Sequence, residues 1–511
     1  LGLYRDAEPL IQQGLDVRRN ALGDDHPDVA ESLHRLAWLY RSLRRYDEAL
    51  PLAEEAVRIR ETALGPEDPE YATTLQLLGM VQRDQGDFDA GQRSLERSLE
   101  IRERTLGPEH LSVSMSLYHL GWLQVRRGDN RRAQELYLRA CEIMEDELGP
   151  ESFQTGWCFN DLAVATDNLG EYDAAREYYE RALGIFESVL TPDHPNIGAL
   201  LNNFAGFLAR TGDSQGARRT YERALSIREA AFGPDHPTTA EALTNLGLQL
   251  QYAGEYHEAR PLYERALRIN EAAFGPEAGA VAGTLNNLGY LLRYVGEFEE
   301  ARSHLMRCLR IQEETLGSDH PHLTQVLSNL GFLFRDLRRY DEAVAYFQRA
   351  VEITEDAWGS DHIRTKTQQL YMAGPMIDSG EFETALETLA EARRGETGDS
   401  GAEYELSWMI PWEEARVRLG MGDRAAADSL FHAALEMYGE RNGEESDVFA
   451  ELQARYWAMN NDQAQSLEWF KESLRRGRRD PWLLRNPELD LIRSHPEYEA
   501  LADQIRVELR G

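Results

Sequence analysis

Lysine is nearly absent from the chain and stands only at Lys366 and Lys471. Cysteine is scarce as well, with Cys141, Cys158 and Cys308 the only three in 511 residues. Their number is odd and no Cys-x-x-Cys pair occurs, which argues against a disulfide framework and against a zinc site. The three read instead as small residues in helical core positions, and a reducing, cytoplasmic setting fits them. No apolar run approaches the roughly 18 residues a membrane span needs. Positive charge is short overall: 55 Lys and Arg against 89 Asp and Glu leave a net charge of -34. Such a surface repels phosphate backbones and anionic lipid, so neither nucleic acid nor membrane is expected as a partner. The glycine-rich GxxxxGK[ST] and GxGxxG strings and the metalloprotease HExxH are missing too.

What is present is repetition. Glycine recurs every 42 residues at Gly23, Gly65, Gly107, Gly149, Gly233, Gly275, Gly317 and Gly359, with Thr191 in the one missing place. A second ladder of small residues runs Ala49, Gly91, Ala133, Ala175 and onward to Ala427, and a third runs Ala37, Gly79, Gly121, Ala163 and onward to Ala415. Chance does not produce three ladders of this length.

Within a unit the pattern is helical. Over residues 28–43, Val29, Leu33, Leu36, Leu39, Tyr40 and Leu43 fall at spacings of three and four and form one helix face. Arg44-Arg45-Tyr46 is a short turn, and the next stretch repeats the pattern with Ala49, Leu52, Ala53, Ala56, Val57 and Ile59. The string Leu-Gly-Pro-Glu-Asp-Pro then ends the unit, because Gly65 can close a helix and Asp68-Pro69 can open the next. Two antiparallel helices approach closely only where one presents Gly or Ala. Tyr137, Tyr179, Tyr221, Tyr263 and Phe347 are expected to fill the gap to the following hairpin. His26, His194, His236, His320 and His362 sit one per linker, too far apart to share a metal, and read as cap residues.

The order Leu-Gly/Ala-x-x-Tyr, Gly-x-Tyr-x-x-Ala, Tyr-x-x-Ala-Leu resembles the tetratricopeptide repeat, and Asn286–Pro321 shows it in full. The 42-residue length and the Leu-Gly-x-Asp-His-Pro linker are similar to the long-helix variant of kinesin light chains and of many bacterial signalling proteins. The resemblance covers residues 1 to about 394. It implies an all-α, right-handed superhelical solenoid of antiparallel helix hairpins. It also implies a concave groove, lined by the first helix of each repeat, that binds a protein or peptide.

The organisation read from the ladders is a second helix of a truncated repeat plus linker at 1–27, and nine 42-residue repeats at 28–394. A polar loop at 393–401 and two degenerate repeats follow, to 477. A C-terminal helical cap at 478–511 then closes the last exposed hydrophobic face. Gly-Asp-Ser-Gly at 398–401 is similar to a serine-protease nucleophile loop, but that chemistry needs a β-barrel and a positioned His and Asp, and no strand pattern exists here. No catalytic residue, metal ligand or cofactor is expected.

Candidate binding residues come from register. Asn203, Asn245, Asn287 and Asn329 share one slot of the first helix, and the resemblance implies that such asparagines hold the backbone of an extended ligand. An amide suits this because it donates and accepts at once. The other reading is a bond within the solenoid. Arg293 and Arg335 lie further along the same face and can grip a carboxylate, with Tyr252 and Tyr294 offering flat contact surface; alternatively, arginines pair with nearby acids such as Glu297 or Glu299. Trp38, Met80, Trp122, Tyr290 and Phe332 share another slot and read either as a second, apolar groove or as inter-repeat core. Function follows as a non-catalytic scaffold binding an extended segment between about residues 200 and 340. The alternative is the sensor half of a larger bacterial signalling enzyme, such as a serine/threonine kinase, with its catalytic domain upstream.

Overall fold

The computed structural model describes residues 2–394, 401–478 and 480–510. Among these residues there are twenty-five α-helices, two short 3-10 helices and no strand. The chain forms two compact units, residues 1–231 and residues 232–511. Each is built from one motif: a first helix, a turn, an antiparallel second helix and a linker. Pro27–Ser42 with Tyr46–Leu64, then Pro69–Gln85 with Phe88–Leu106, begin the series. This is an all-α repeat solenoid. The expected polar loop at 393–401 falls mostly outside the described residues.

The linker histidines open the first helices. The imidazole Nδ1 accepts from the backbone N–H two residues on, from Asp28 to His26 at 3.1 Å, Asn196 to His194 at 3.2 Å and Thr238 to His236 at 3.2 Å. Asp68 does the same work with a carboxylate, at 2.7 Å from Glu70 N. Each satisfies one of the free N–H groups of a helix start. The following proline occupies the first helical position, where a missing N–H costs nothing.

The glycine ladder has a backbone cause. Gly65, Gly107 and Gly275 leave the second helix at φ 91°, 93° and 89° with ψ 161°, 155° and 158°. That combination is essentially restricted to glycine. Where Thr191 breaks the ladder, the chain exits differently, with Leu190 in extended conformation at φ -114°.

The third ladder seats an aromatic ring. A Cβ added at Gly121 would lie 2.7 Å from the ring of Tyr137, at Gly247 2.9 Å from Tyr263, and at Gly331 2.7 Å from Phe347. The small residue therefore makes room for the large one of its own hairpin. The same rings reach the next hairpin: Tyr179 stacks on Phe204 at 5.4 Å between centroids.

One expectation is overturned. Cys141, on the second helix Asn130–Leu148, is disulfide-bonded to Cys158, on the next first helix Phe153–Asn168, with their Cα atoms 5.6 Å apart. Count and spacing along the chain are blind to which residues face each other after an antiparallel return. The bond also removes the cysteine argument for a reducing compartment. Cys308 stays a free, buried thiol, and burial pushes its pKa up to about 12.

In the second unit the C-terminal segment covers the last hairpin. Leu483, Leu489, Ile492, Tyr498, Ala502 and Ile505 are buried against Ala454, Leu467, Phe470 and Leu474. Each large aliphatic or aromatic side chain there contributes about 2 kcal/mol of burial.

In denaturant without reductant, one thiol per chain should react with a chromogenic disulfide reagent, and three after reduction. Replacing Cys158 with Ala should lower the stability of the first unit by about 3 kcal/mol, the chain-entropy value for a loop of this size. Three reactive thiols before reduction would show that the bond does not form.

Candidate functional site

First helices of successive repeats lie side by side, so that a residue meets its neighbour 43 positions away. Two rows of polar pairs follow from this offset. In the first row, Asn203 donates through Nδ2 to Asn160 Oδ1 at 3.2 Å, and Asn329 to Asn286 Oδ1 at 2.9 Å. Tyr118 donates to Asp161 in the same way. Burial pushes the pKa of Asp161 up, against the hydrogen bonds from Tyr118 and Asn160. In the second row, two helical turns on, arginine meets aspartate. Arg41 reaches Asp84, Arg293 reaches Asp336 and Arg335 reaches Asp378, each at 2.7 Å. Arg210 reaches Asp167 with the order reversed.

The residues singled out from the sequence therefore divide. Asn203 and Asn329 are engaged between repeats. Arg293 and Arg335 already hold carboxylates of this chain rather than facing an open groove with free forks. Burial alone would lower the pKa of Arg293, but Asp336 and the phenol of Tyr294 outweigh it and hold the charge. Burial opposes the charge of Arg335 in the same way, and Asp378 outweighs it. Glu297 pairs with Arg260 and Glu299 with Arg302. Asn245 and Asn287 are half-buried on their helices. Tyr294 lies under the Arg293 guanidinium, 4.7 Å from its ring centre, and stacks on Tyr256. Tyr252 is 76% exposed.

The aromatic slot divides too. Trp122 lies beneath the Arg83 guanidinium at 3.7 Å, and Phe332 packs against Phe347 and Tyr371. Trp38 remains 45% exposed.

The second unit carries a half-open cavity of about 780 Å³. Its wall takes Tyr290 and Arg293 from the helix Gly279–Val295, Asn329 and Phe332 from Leu323–Asp336, and Tyr371 from Ile363–Ser379, and it includes the C-terminal residues Arg485 to Glu488. A buried chain of ions ties those residues down. Asp378 is shared by Arg335 at 2.7 Å and Arg416 at 2.5 Å. Glu488 is shared by Arg416 at 2.9 Å and Arg455 at 2.7 Å. Glu451 takes Arg478 at 2.8 Å. Arg485 donates through Nη2 to the carbonyls of Arg293 at 3.1 Å and Tyr294 at 2.8 Å, in the last turn of the helix Gly279–Val295. Among the described residues, no group of three or more His, Cys, Asp or Glu is placed to hold a metal ion. None of the described helices is long and apolar enough to cross a membrane.

The family model described as tetratricopeptide repeat matches residues 1–62, 43–90, 70–146, 157–229, 196–272 and 280–356, well over half of the chain. The chain belongs to the tetratricopeptide repeat family. Nephrocystin-3 of Xenopus laevis is 44% identical over 46 residues, which are 9% of this chain and 4% of that protein. The match thus spans only a small part of the length of that relative. Among solved structures, the apo form of the quorum sensor NprR from B. thuringiensis is similar with a TM-score of 0.50 and 17% identity, over 69% of this chain and 98% of that one. A putative kinesin light chain of Podosopora anserina, with nearly identical repeats, gives 26% identity and a TM-score of 0.37 over 40% of this chain and 98% of that one. The first of these shows the fold.

In this tetratricopeptide repeat protein, the residues that sequence reasoning passed over are Arg416, Arg455, Arg485 and Glu488. They lie where the 42-residue ladders fade, so no periodic signal marks them. Burial works against the charge of Glu488, but Arg455 and Arg416 outweigh it and hold its pKa below the usual carboxylate range. Asp378 is lowered for the same reason by Arg335 and Arg416. For Glu451 burial wins and the pKa is raised.

Replacing Glu488 with Gln should cost about 3 kcal/mol, because two buried arginines each lose one of the carboxylates that balance them. Hydrogen exchange over residues 483–492 should quicken in that variant. Two depressed carboxylates stabilise the fold fully above their unfolded values and lose that contribution as pH falls through the lowered ones. The same exchange should therefore quicken in wild type below about pH 4; unchanged protection in both cases would remove the ion chain as the cause.

Proposed function

We propose that this protein is a non-catalytic scaffold that binds an extended segment of a partner protein along the inner faces of its first helices. The observation that carries the reading is exposed aromatic surface on first helices: Trp38 in the first unit and, on its own, Tyr252 in the second. At the corresponding slots other aromatic rings are packed, as Phe332 is. Large, flat side chains of low entropy, held on rigid helices, are what a binding hot spot needs. Asn287 supplies an amide on the same helices for a ligand backbone, and Tyr294 a further ring. Arg293, Arg335, Asn203 and Asn329 act one step back, fixing the register of the helices that present the others.

Display selection of random twelve-residue peptides on the full chain, followed by calorimetry, tests the reading. A selected peptide should lose at least tenfold affinity, about 1.4 kcal/mol, with Trp38→Ala or Tyr252→Ala. Asn329→Ala should instead lower the melting temperature and leave affinity nearly unchanged. If selected peptides bind both aromatic variants as tightly as wild type, the inner-face reading is wrong.

A further inference from the structure

We propose that the cavity of the second unit is a site for a small organic anion, a phosphate or carboxylate group carried on a flat, ring-sized body. The inference does not depend on the scaffold reading.

The wall is built to hold its shape. The segment that completes it is anchored by Leu483, Leu489 and Ile492, all fully buried, and by Glu488 between two arginines. Releasing that segment would expose the apolar face it covers. A chamber of about 780 Å³ is what remains, a volume suited to a single small molecule.

The charge of the wall points to an anion. In the whole chain, acids outnumber Lys and Arg by 89 to 55, whereas in this wall arginines outnumber carboxylates by seven to six. The carboxylates are already engaged, as Asp336 is by Arg293, Asp378 by Arg335, and Glu413 and Glu488 by Arg416. Arg338 and Arg364, both exposed, and the half-buried Arg485 line the cavity and form no ion pair among the described residues. A cleft with such a surplus of positive charge raises the local concentration of anions.

Hydrogen bonding points the same way. Arg293 Nε, Arg485 Nε and Asn486 Nδ2 are buried and have no hydrogen-bond partner among the described residues. All three are donors on residues that line the cavity. Arg485 is bonded to the backbone of Arg293, and Asn486 follows Arg485. Buried polar groups are almost always satisfied, so this corner of the cavity has donors to spare and favours an acceptor-rich group. Beside them stand the rings of Tyr290 and Tyr294, 4.8 Å apart, with Phe332 on the next first helix. Rings there favour a flat ligand body.

Calorimetry on the full chain with phenyl phosphate and with benzoate tests this, with inorganic phosphate and phenol as controls. At least one ring-bearing anion should bind once per chain with Kd near or below about 100 µM, and at least tenfold tighter than either control. The arm that binds tells phosphate from carboxylate. Arg485→Lys keeps the charge but removes the orphan Nε donor, and should weaken binding about tenfold. Should that variant fold poorly, Arg364→Ala serves, because its side chain is exposed. It should weaken binding several-fold with no change in melting temperature. No binding of either anion at about 1 mM, inorganic phosphate binding as tightly as phenyl phosphate, or affinity unchanged in both variants would overturn the assignment.

Discussion

A helix hairpin buries one side of each helix and leaves the other bare, so the packing of one hairpin on the next is the interaction on which everything else depends. In this protein the packing has a definite offset. Repeats recur every 42 residues, but side chains of neighbouring first helices meet at 43, as Asn286 meets Asn329 and Arg293 meets Asp336. The difference of one residue places an asparagine or arginine opposite the adjacent slot of the next helix rather than opposite its own copy. Identical arginines would repel each other. Adjacent slots can carry opposite charges, and Arg41 with Asp84, and Arg335 with Asp378, do so.

Buried ion pairs of this kind are a weak source of net stability, because removing two charges from water offsets most of their attraction. Their effect is on register. A slip by one residue would leave buried guanidinium groups without carboxylates, which is costly. The same logic governs the end of the second unit. Glu488 serves two arginines from two different first helices, Arg416 and Arg455, while Arg485 caps a helix nearly 200 positions earlier. Apolar burial around Phe470 supplies the energy of closure, and the ions fix where the closing segment lands.

The division between scaffold surface and cavity rests on which side chains these pairs consume. Asn329 and Arg293 looked like ligand contacts because they face inward in register. The structure engages each with a neighbour first. What stays exposed or unsatisfied is less regular: the surfaces of Trp38 and Tyr252, and the donors at Arg485 and Asn486.

The sequence by itself determined the hairpin, its length and its ends. Glycine was required at Gly65 because only glycine takes that backbone geometry readily, and at Gly331 because Phe347 occupies the place of a Cβ. The linker histidines were legible as caps because a cap acts on a backbone N–H only two residues away. All these effects are local or repeat with the ladder, so they leave a periodic trace. Only the tertiary structure decided the Cys141–Cys158 bond, the engagement of the asparagine and arginine rows, and the return of the C-terminal segment onto the helix Gly279–Val295. Each depends on which side chains meet after folding. A pairing at 43 residues is hidden by a pattern that repeats at 42, and a contact across some 190 residues has no pattern at all.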